Sequence, residues 1–218
     1  MQKKRVVVLI SGSGSNLQAL IDGVQAGELP VEIVAVISNR PGVLGLERAA
    51  KAAIPADVLD HKAFTDRESF DRALMEKIDS YSPDLVVLAG FMRILTPEFT
   101  QHYLGRMLNI HPSLLPKFQG LHTHQRAIDA GESHHGVTVH FVTAELDGGP
   151  AVVQAWVPVL AEDDATSLAK RVQRQEHIIY PLAVKWFAQG DICMQDGKCV
   201  LNGEPLPPSG FLIRSDEP

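Results

Sequence analysis

Short apolar runs alternate along the chain with stretches in which apolar residues recur every three or four positions. Residues 5–11, 31–38, 84–91 and 107–110 are nearly continuous runs of Val, Ile and Leu, the pattern of strands buried on both faces. Between them the spacing turns helical. Leu17, Leu20, Ile21 and Val24 share one helix face, and Gly27 can end that helix. Phe70, Leu74 and Ile78 share another, after Thr65-Asp66-Arg67-Glu68, which fits a capping box. Strand and helix in strict alternation imply right-handed crossovers, so the first half should be Rossmann-like, a mostly parallel sheet flanked by helices.

The pattern changes after that. Residues 136–143 and 151–160 are strand-like runs joined by Ala144-Glu145-Leu146-Asp147-Gly148-Gly149-Pro150, a turn-rich connection that predicts an antiparallel extension. A long helix should follow over 165–189, carrying Leu168, Val172, Ile179, Leu182 and Trp186, with a kink at Pro181. Asp196-Gly197 predicts a two-residue hairpin pairing Met194 with Cys199 and Cys193 with Val200. The two thiols then lie on opposite faces, so no disulfide is expected and a reducing compartment fits. Residues 204–218 read as a loop-like, partly disordered tail. The expectation is an α/β fold of one domain over residues 1–218, with the antiparallel extension and long helix at its C-terminal end.

Composition narrows the function classes. Of 218 residues 45% are hydrophobic and 21% charged, the balance of a globular enzyme or binding module rather than a disordered chain. A net charge of −6 leaves little surface for nucleic acid, which requires concentrated basic side chains. No run reaches the roughly 20 apolar residues of a membrane span, and residues 6–10 are too short for a signal peptide, so a cytoplasmic location is expected.

Two groups of residues carry chemistry. Ser11-Gly12-Ser13-Gly14-Ser15-Asn16 follows the first strand and opens the first helix, where free N–H groups and the helix dipole favour a phosphate. A dinucleotide fingerprint would require a small residue in place of Leu17 and an acid at the end of the second strand, where Ser38-Asn39-Arg40 stands. Arg40 leaves an NADP-dependent oxidoreductase open, and glycines that make only a tight turn are the other alternative. The second group is Asn109-Ile110-His111, whose two polar side chains, two apart on a strand, point to one face. An amide and an imidazole there can stabilise an oxyanion, and Asp147 could orient His111 and relay a proton. A structural histidine and a turn-making aspartate remain the alternative. His122, His124, His134 and His135 could ligate a metal, but no third ligand cluster accompanies them and none is expected. His140 fits a packed, hydrogen-bonded role.

The segments Ile10-Ser11-Gly12-Ser13-Gly14-Ser15-Asn16-Leu17, Leu88-Ala89-Gly90-Phe91-Met92-Arg93-Ile94-Leu95, Leu108-Asn109-Ile110-His111-Pro112-Ser113-Leu114-Leu115-Pro116 and Leu146-Asp147-Gly148-Gly149-Pro150 closely resemble the phosphoribosylglycinamide formyltransferase family, within the folate formyltransferase and deformylase superfamily. The resemblance spans about residues 5–190. It implies transfer of a formyl group from 10-formyltetrahydrofolate, as co-substrate, to the amine of glycinamide ribonucleotide, without a metal. By it, Asn109, His111 and Asp147 are catalytic, and Gly14, Ser15, Asn16 and Glu176 contact the ribonucleotide. Arg67, Met92, Arg93, Ile94, Leu95, Asn109, Val142 and Thr143 lie on the folate side. Gln119 departs from the family, whose members often carry proline there. The implied partners are small molecules, with neither nucleic acid nor membrane, and the implied state is a monomer or homodimer. Formyltetrahydrofolate deformylase is the nearest rival, since it resembles the same trio. Methionyl-tRNA formyltransferase, which carries a further C-terminal domain, and a non-catalytic nucleotide-binding module fit less well.

Overall fold

In the computed structural model, which describes residues 2–217, the chain forms two compact units, one ending at Asn109 and the next beginning at Ile110. The first unit holds β1 (Lys4–Ile10), α1 (Ser15–Gln25), β2 (Val31–Ser38), α2 (Leu44–Lys51), β3 (Ala56–Val58), α3 (Arg67–Asp79), β4 (Leu85–Leu88), α4 (Pro97–His102) and most of β5 (Met107–His111). Its strands run in the order β3-β2-β1-β4-β5, each pair parallel. The apolar runs behave as their composition demands. Val7 to Ile10 and Leu85 to Val87 are fully buried, because helices packed on both faces leave no side of these strands for polar residues.

The second unit holds α5 (Thr123–Asp129), β6 (His134–Phe141), β7 (Ala151–Pro158), α6 (Ala165–Ala188), β8 (Ile192–Gln195), β9 (Lys198–Leu201), β10 (Glu204–Pro205) and β11 (Phe211–Arg214). β6 and β7 pair antiparallel with a bulge between Val139 and His140, which is the expected extension. The hairpin pairs Cys193 with Val200 and Met194 with Cys199, and both thiols are free. Asp196 and Gly197 both take positive φ, 52° and 72°, the conformation such a turn requires. α6 is one continuous helix with Pro181 inside it.

Three expectations change. The expected tail over 204–218, whose last residue lies outside the described residues, is not simply a loop: β11 pairs in parallel with β7, from Phe211 opposite Val153 to Arg214 opposite Trp156. The turn at Gly210 (φ 75°) lets its backbone approach Val152 so closely that a Cβ there would stand 2.8 Å from the Val152 carbonyl. The cap of α3 is Asp66, whose carboxylate accepts the Ser69 N–H at 2.6 Å, rather than a Thr65–Glu68 box. β4 stops at Leu88 instead of running to Phe91, and the freed residues turn at Gly90 (φ 73°) into an irregular segment that matters below.

Candidate functional site

In the first unit the glycine loop leaves β1 at Ser11 and enters α1 with Gly14 as its cap, at φ 72°. Any side chain would be strained at that φ. Space is lacking as well, because a Cβ on Gly14 would stand 2.8 Å from the Gly45 Cα in α2. Gly45 N–H donates to the Gly12 carbonyl at 3.1 Å, and Arg48 Nε donates to the Ser13 carbonyl at 2.7 Å. The loop is therefore braced from α2, while the first turn of α1 contains no acidic side chain to compete for an anion at its N-terminus. Ser15 and Asn16, expected ribonucleotide contacts, open this helix, and Asn16 is buried.

The same unit carries the expected folate residues. Met92 and Ile94 are 59% and 53% exposed, apolar side chains presented by a segment outside any helix or strand. Arg93 lies 4.5 Å over the Phe70 ring. Arg67 is exposed at the start of α3. Asn109 closes the unit on β5, half-buried, with Leu88 opposite it on β4.

Two residues further along the same strand, in the second unit, His111 is 7% exposed. Its Nδ1 lies 3.6 Å from Asp147 Oδ1, and its Nε2 lies 2.9 Å from the Phe118 carbonyl. Both ring nitrogens thus face acceptors, and a neutral imidazole can donate to only one of them. The His111 and Asp147 side chains are 9% and 7% exposed, so little water screens the pair. Asp147 sits at φ 51°, in the left-handed region that an ordinary residue enters at a cost of about 1–3 kcal/mol. Its second oxygen accepts the Gly120 N–H at 3.0 Å, and its carbonyl accepts Gln119 Nε2 at 3.3 Å. The residue that departs from the family pattern therefore touches the catalytic candidate. Arg126 Nη1 donates to the Gln119 and Leu121 carbonyls at 2.6 and 3.1 Å, tying this loop to α5.

Glu176 lines an open cavity of about 440 Å³ with Lys170, Gln173, His124 and Pro112, the neighbour of His111. Val142 is buried and Thr143 half-buried where the chain leaves β6. Gly149, in the turn that delivers Asp147, has no room for a side chain, because a Cβ there would collide with the Phe141 carbonyl. Of the remaining histidines, His124 Nδ1 and His135 Nε2 meet at 3.1 Å. Burial pushes the His135 ring down to about 4, helped by the charges of His124 and His111, and it lowers His124 as well. His140 is 2% exposed, with Nδ1 at 3.0 Å from the Phe141 carbonyl, a packed residue as expected. Among the described residues no group of three His, Cys, Asp or Glu side chains converges as metal ligands would.

The sequence singled out the glycine loop and the Asn109–His111 strand. It did not find Arg48, whose guanidinium meets a backbone carbonyl, Gly120 and Phe118, which act through backbone atoms, or Lys170, which lines the cavity from an exposed helix face. A basic residue three positions after Gly45 offers no motif, since its partner is a carbonyl 35 residues earlier.

The formyl transferase family matches residues 4–184. The chain is 54% identical over 206 residues to the phosphoribosylglycinamide formyltransferase of Escherichia coli (strain K12), a match covering 94% of this chain and 97% of that one. The solved structure of the phosphoribosylglycinamide formyltransferase from Coxiella burnetii superposes with a TM-score of 0.93 at 50% identity, over 96% of this chain and 99% of that one. A formyltetrahydrofolate deformylase from Pseudomonas syringae pv. tomato superposes with a TM-score of 0.86 at 29% identity, over 92% of this chain and 66% of its own.

Proposed function

The chain belongs to the formyl transferase family, and from that premise we propose that it transfers the formyl group of 10-formyltetrahydrofolate to the amine of glycinamide ribonucleotide in purine biosynthesis, giving formylglycinamide ribonucleotide and tetrahydrofolate. The observation that carries the choice of acceptor is 54% identity spread over 94% of this chain and 97% of its Escherichia coli relative. The deformylase alternative shares the fold at 29% identity and leaves a third of that protein's length unmatched. The family match crosses the boundary at Asn109 without a break, which supports reading the chain as one formyltransferase domain. No described helix is long and apolar enough to cross a membrane, in keeping with a cytoplasmic enzyme that works on small molecules as a monomer or homodimer.

In this reading the N–H groups of Gly14, Ser15 and Asn16 hold the ribonucleotide phosphate at the start of α1, and Glu176 binds its sugar. The segment 92–95, with Val142, Thr143 and Asn109, meets the donor-rich and acceptor-rich pterin edge through backbone and amide groups, while Arg67 attracts the glutamate tail. Asn109 donates to the formyl oxygen as the amine attacks, and His111 adds a second donor when its Nε2–H exchanges the Phe118 carbonyl for that oxygen, so that negative charge developing there is stabilised. Asp147 holds Nδ1 of His111 and helps the amine's proton move, through His111 or a water, to N10, which takes it as the bond from N10 to the formyl carbon breaks. These groups need no covalent enzyme intermediate and no metal, because positioning and charge stabilisation supply the rate.

Steady-state kinetics test the assignment. His111→Ala should lower kcat by about 100-fold or more with folate binding nearly intact, and Asp147→Asn should be severely impaired, since an amide cannot take a proton. The double variant should lose less than the product of the single losses, as groups acting in one unit are not additive. Near-normal turnover of folded His111→Ala would make the histidine structural.

A further inference from the structure

The segment that turns out of β4 reaches α4 without joining a helix or strand, yet both its ends are held by buried side chains. At its start Met92 N–H donates to Ser11 Oγ at 2.8 Å, and Ser11 Oγ–H donates to Asn39 Oδ1 at 2.6 Å. The one hydroxyl proton is thereby committed to Asn39, which leaves the lone pair facing Met92. Ser11 and Asn39 are 3% and 2% exposed. At its end Thr96 N–H donates to Asp71 Oδ2 at 2.8 Å, and Thr96 itself caps α4. Asp71 is 1% exposed, and its other oxygen has no hydrogen-bond partner. Burial pushes this carboxyl up despite the Thr96 bonds and the nearby charges of Arg93 and Arg67. A carboxylate so placed costs stability rather than adding it. Phe70, the residue before Asp71, carries the Arg93 guanidinium on its ring.

We infer that Ser11 and Asp71 are positioning residues that clamp the two ends of the 92–95 segment, and that through it they set the affinity for the reduced folate. The inference rests on the reading of that segment as the folate side. Neither residue touches the folate. Each fixes one backbone N–H, and the span between those two N–H groups is five residues, short enough that fixing both ends restricts the φ and ψ angles between them. The backbone of residues 93–95 is then held ready for a flat ligand edge before the ligand arrives, which reduces the ordering cost of binding. Ser11 also opens the glycine loop, yet its bonds run to Asn39 and Met92 and not to the loop's N–H groups.

The test uses the full chain with Ser11→Ala, Asp71→Ala and Asp71→Asn. Binding of tetrahydrofolate and of glycinamide ribonucleotide is measured by calorimetry, beside KM and kcat for both substrates and the melting temperature. Loss of either clamp should weaken tetrahydrofolate about tenfold, the size of one lost buried hydrogen bond. It should raise the folate KM in step, and leave ribonucleotide affinity and saturated kcat within about twofold. Asp71→Asn keeps an acceptor oxygen for Thr96 and should recover most of the folate affinity. Unchanged folate affinity in folded Ser11→Ala and Asp71→Ala overturns the inference. So does parallel loss of both ligands that Asp71→Asn does not repair, because that pattern marks a purely structural carboxylate. Failure of the unsubstituted protein to bind tetrahydrofolate at all would instead overturn the functional reading on which the inference rests.

Discussion

Gly14 and Asp147 both occupy the left-handed region, at φ 72° and 51°, and for different reasons. Gly14 lets the loop pass against Gly45 of α2, where a Cβ would stand 2.8 Å from backbone. Asp147 bears its strain because its carboxylate is bonded to the Gly120 N–H and lies beside His111. Gly14→Val should therefore reduce affinity for glycinamide ribonucleotide by 10-fold or more (on the order of 1–2 kcal/mol) and reduce tetrahydrofolate affinity far less. Titrating each ligand separately checks this, and equal damage to both would show that the loop has another duty. At this scale the sequence was informative wherever chemistry follows spacing within one strand, as for Asn109 and His111. It offered Asp147 as a partner for His111 but could not place it there, 36 positions further along the chain, because an aspartate ahead of two glycines reads equally well as a plain turn. Resemblance to the family decided between the two.

Elements were legible where their apolar period was long and obscured where capping or tertiary contact decided the matter. α6, with buried Leu168, Val172, Ile179 and Val184, declares itself. α2, α4 and α5 span eight, six and seven residues, too short for a clear period, although Thr96-Pro97 at the start of α4 is a cap signal that could have been read. β11 was hidden because its four residues form a strand only by pairing with β7. The start of α6 carries a second buried ion pair that bears on stability. Arg171 grips Asp163 through two bonds of 2.6 and 3.0 Å, and the Leu160 N–H and Ser167 hydroxyl also donate to that carboxylate. The Arg171 hydrogen bond leads these contacts in holding the Asp163 carboxyl down to about 2 from its ordinary 3.8. A carboxyl depressed on folding contributes stability that is complete above 3.8 and disappears as pH falls through about 2. Asp163→Asn leaves the guanidinium without its anion and should cost about 3 kcal/mol at pH 7, or roughly 6–12 °C in melting temperature. Melting curves of both proteins between pH 7 and pH 2 should show that gap narrow below about pH 4. A gap that stays constant with pH would remove the ion pair from this role.

At the scale of the whole molecule, composition and charge excluded more than they identified. A net charge of −6 removed an RNA acceptor from favour, and the strand-helix alternation gave the α/β class, but neither distinguishes transfer to an amine from transfer to water. That choice rests on which acceptor the site admits beside the formyl carbon, and the same Asn, His and Asp could serve either reaction. The account is tested most directly by incubating the protein with 10-formyltetrahydrofolate, with and without glycinamide ribonucleotide, and measuring tetrahydrofolate, formate and formylated ribonucleotide by mass. The account predicts one formylated ribonucleotide for each tetrahydrofolate released and turnover slower by about 100-fold or more when the ribonucleotide is withheld. Formate released at the same rate whether or not the ribonucleotide is present would contradict it and identify water as the acceptor.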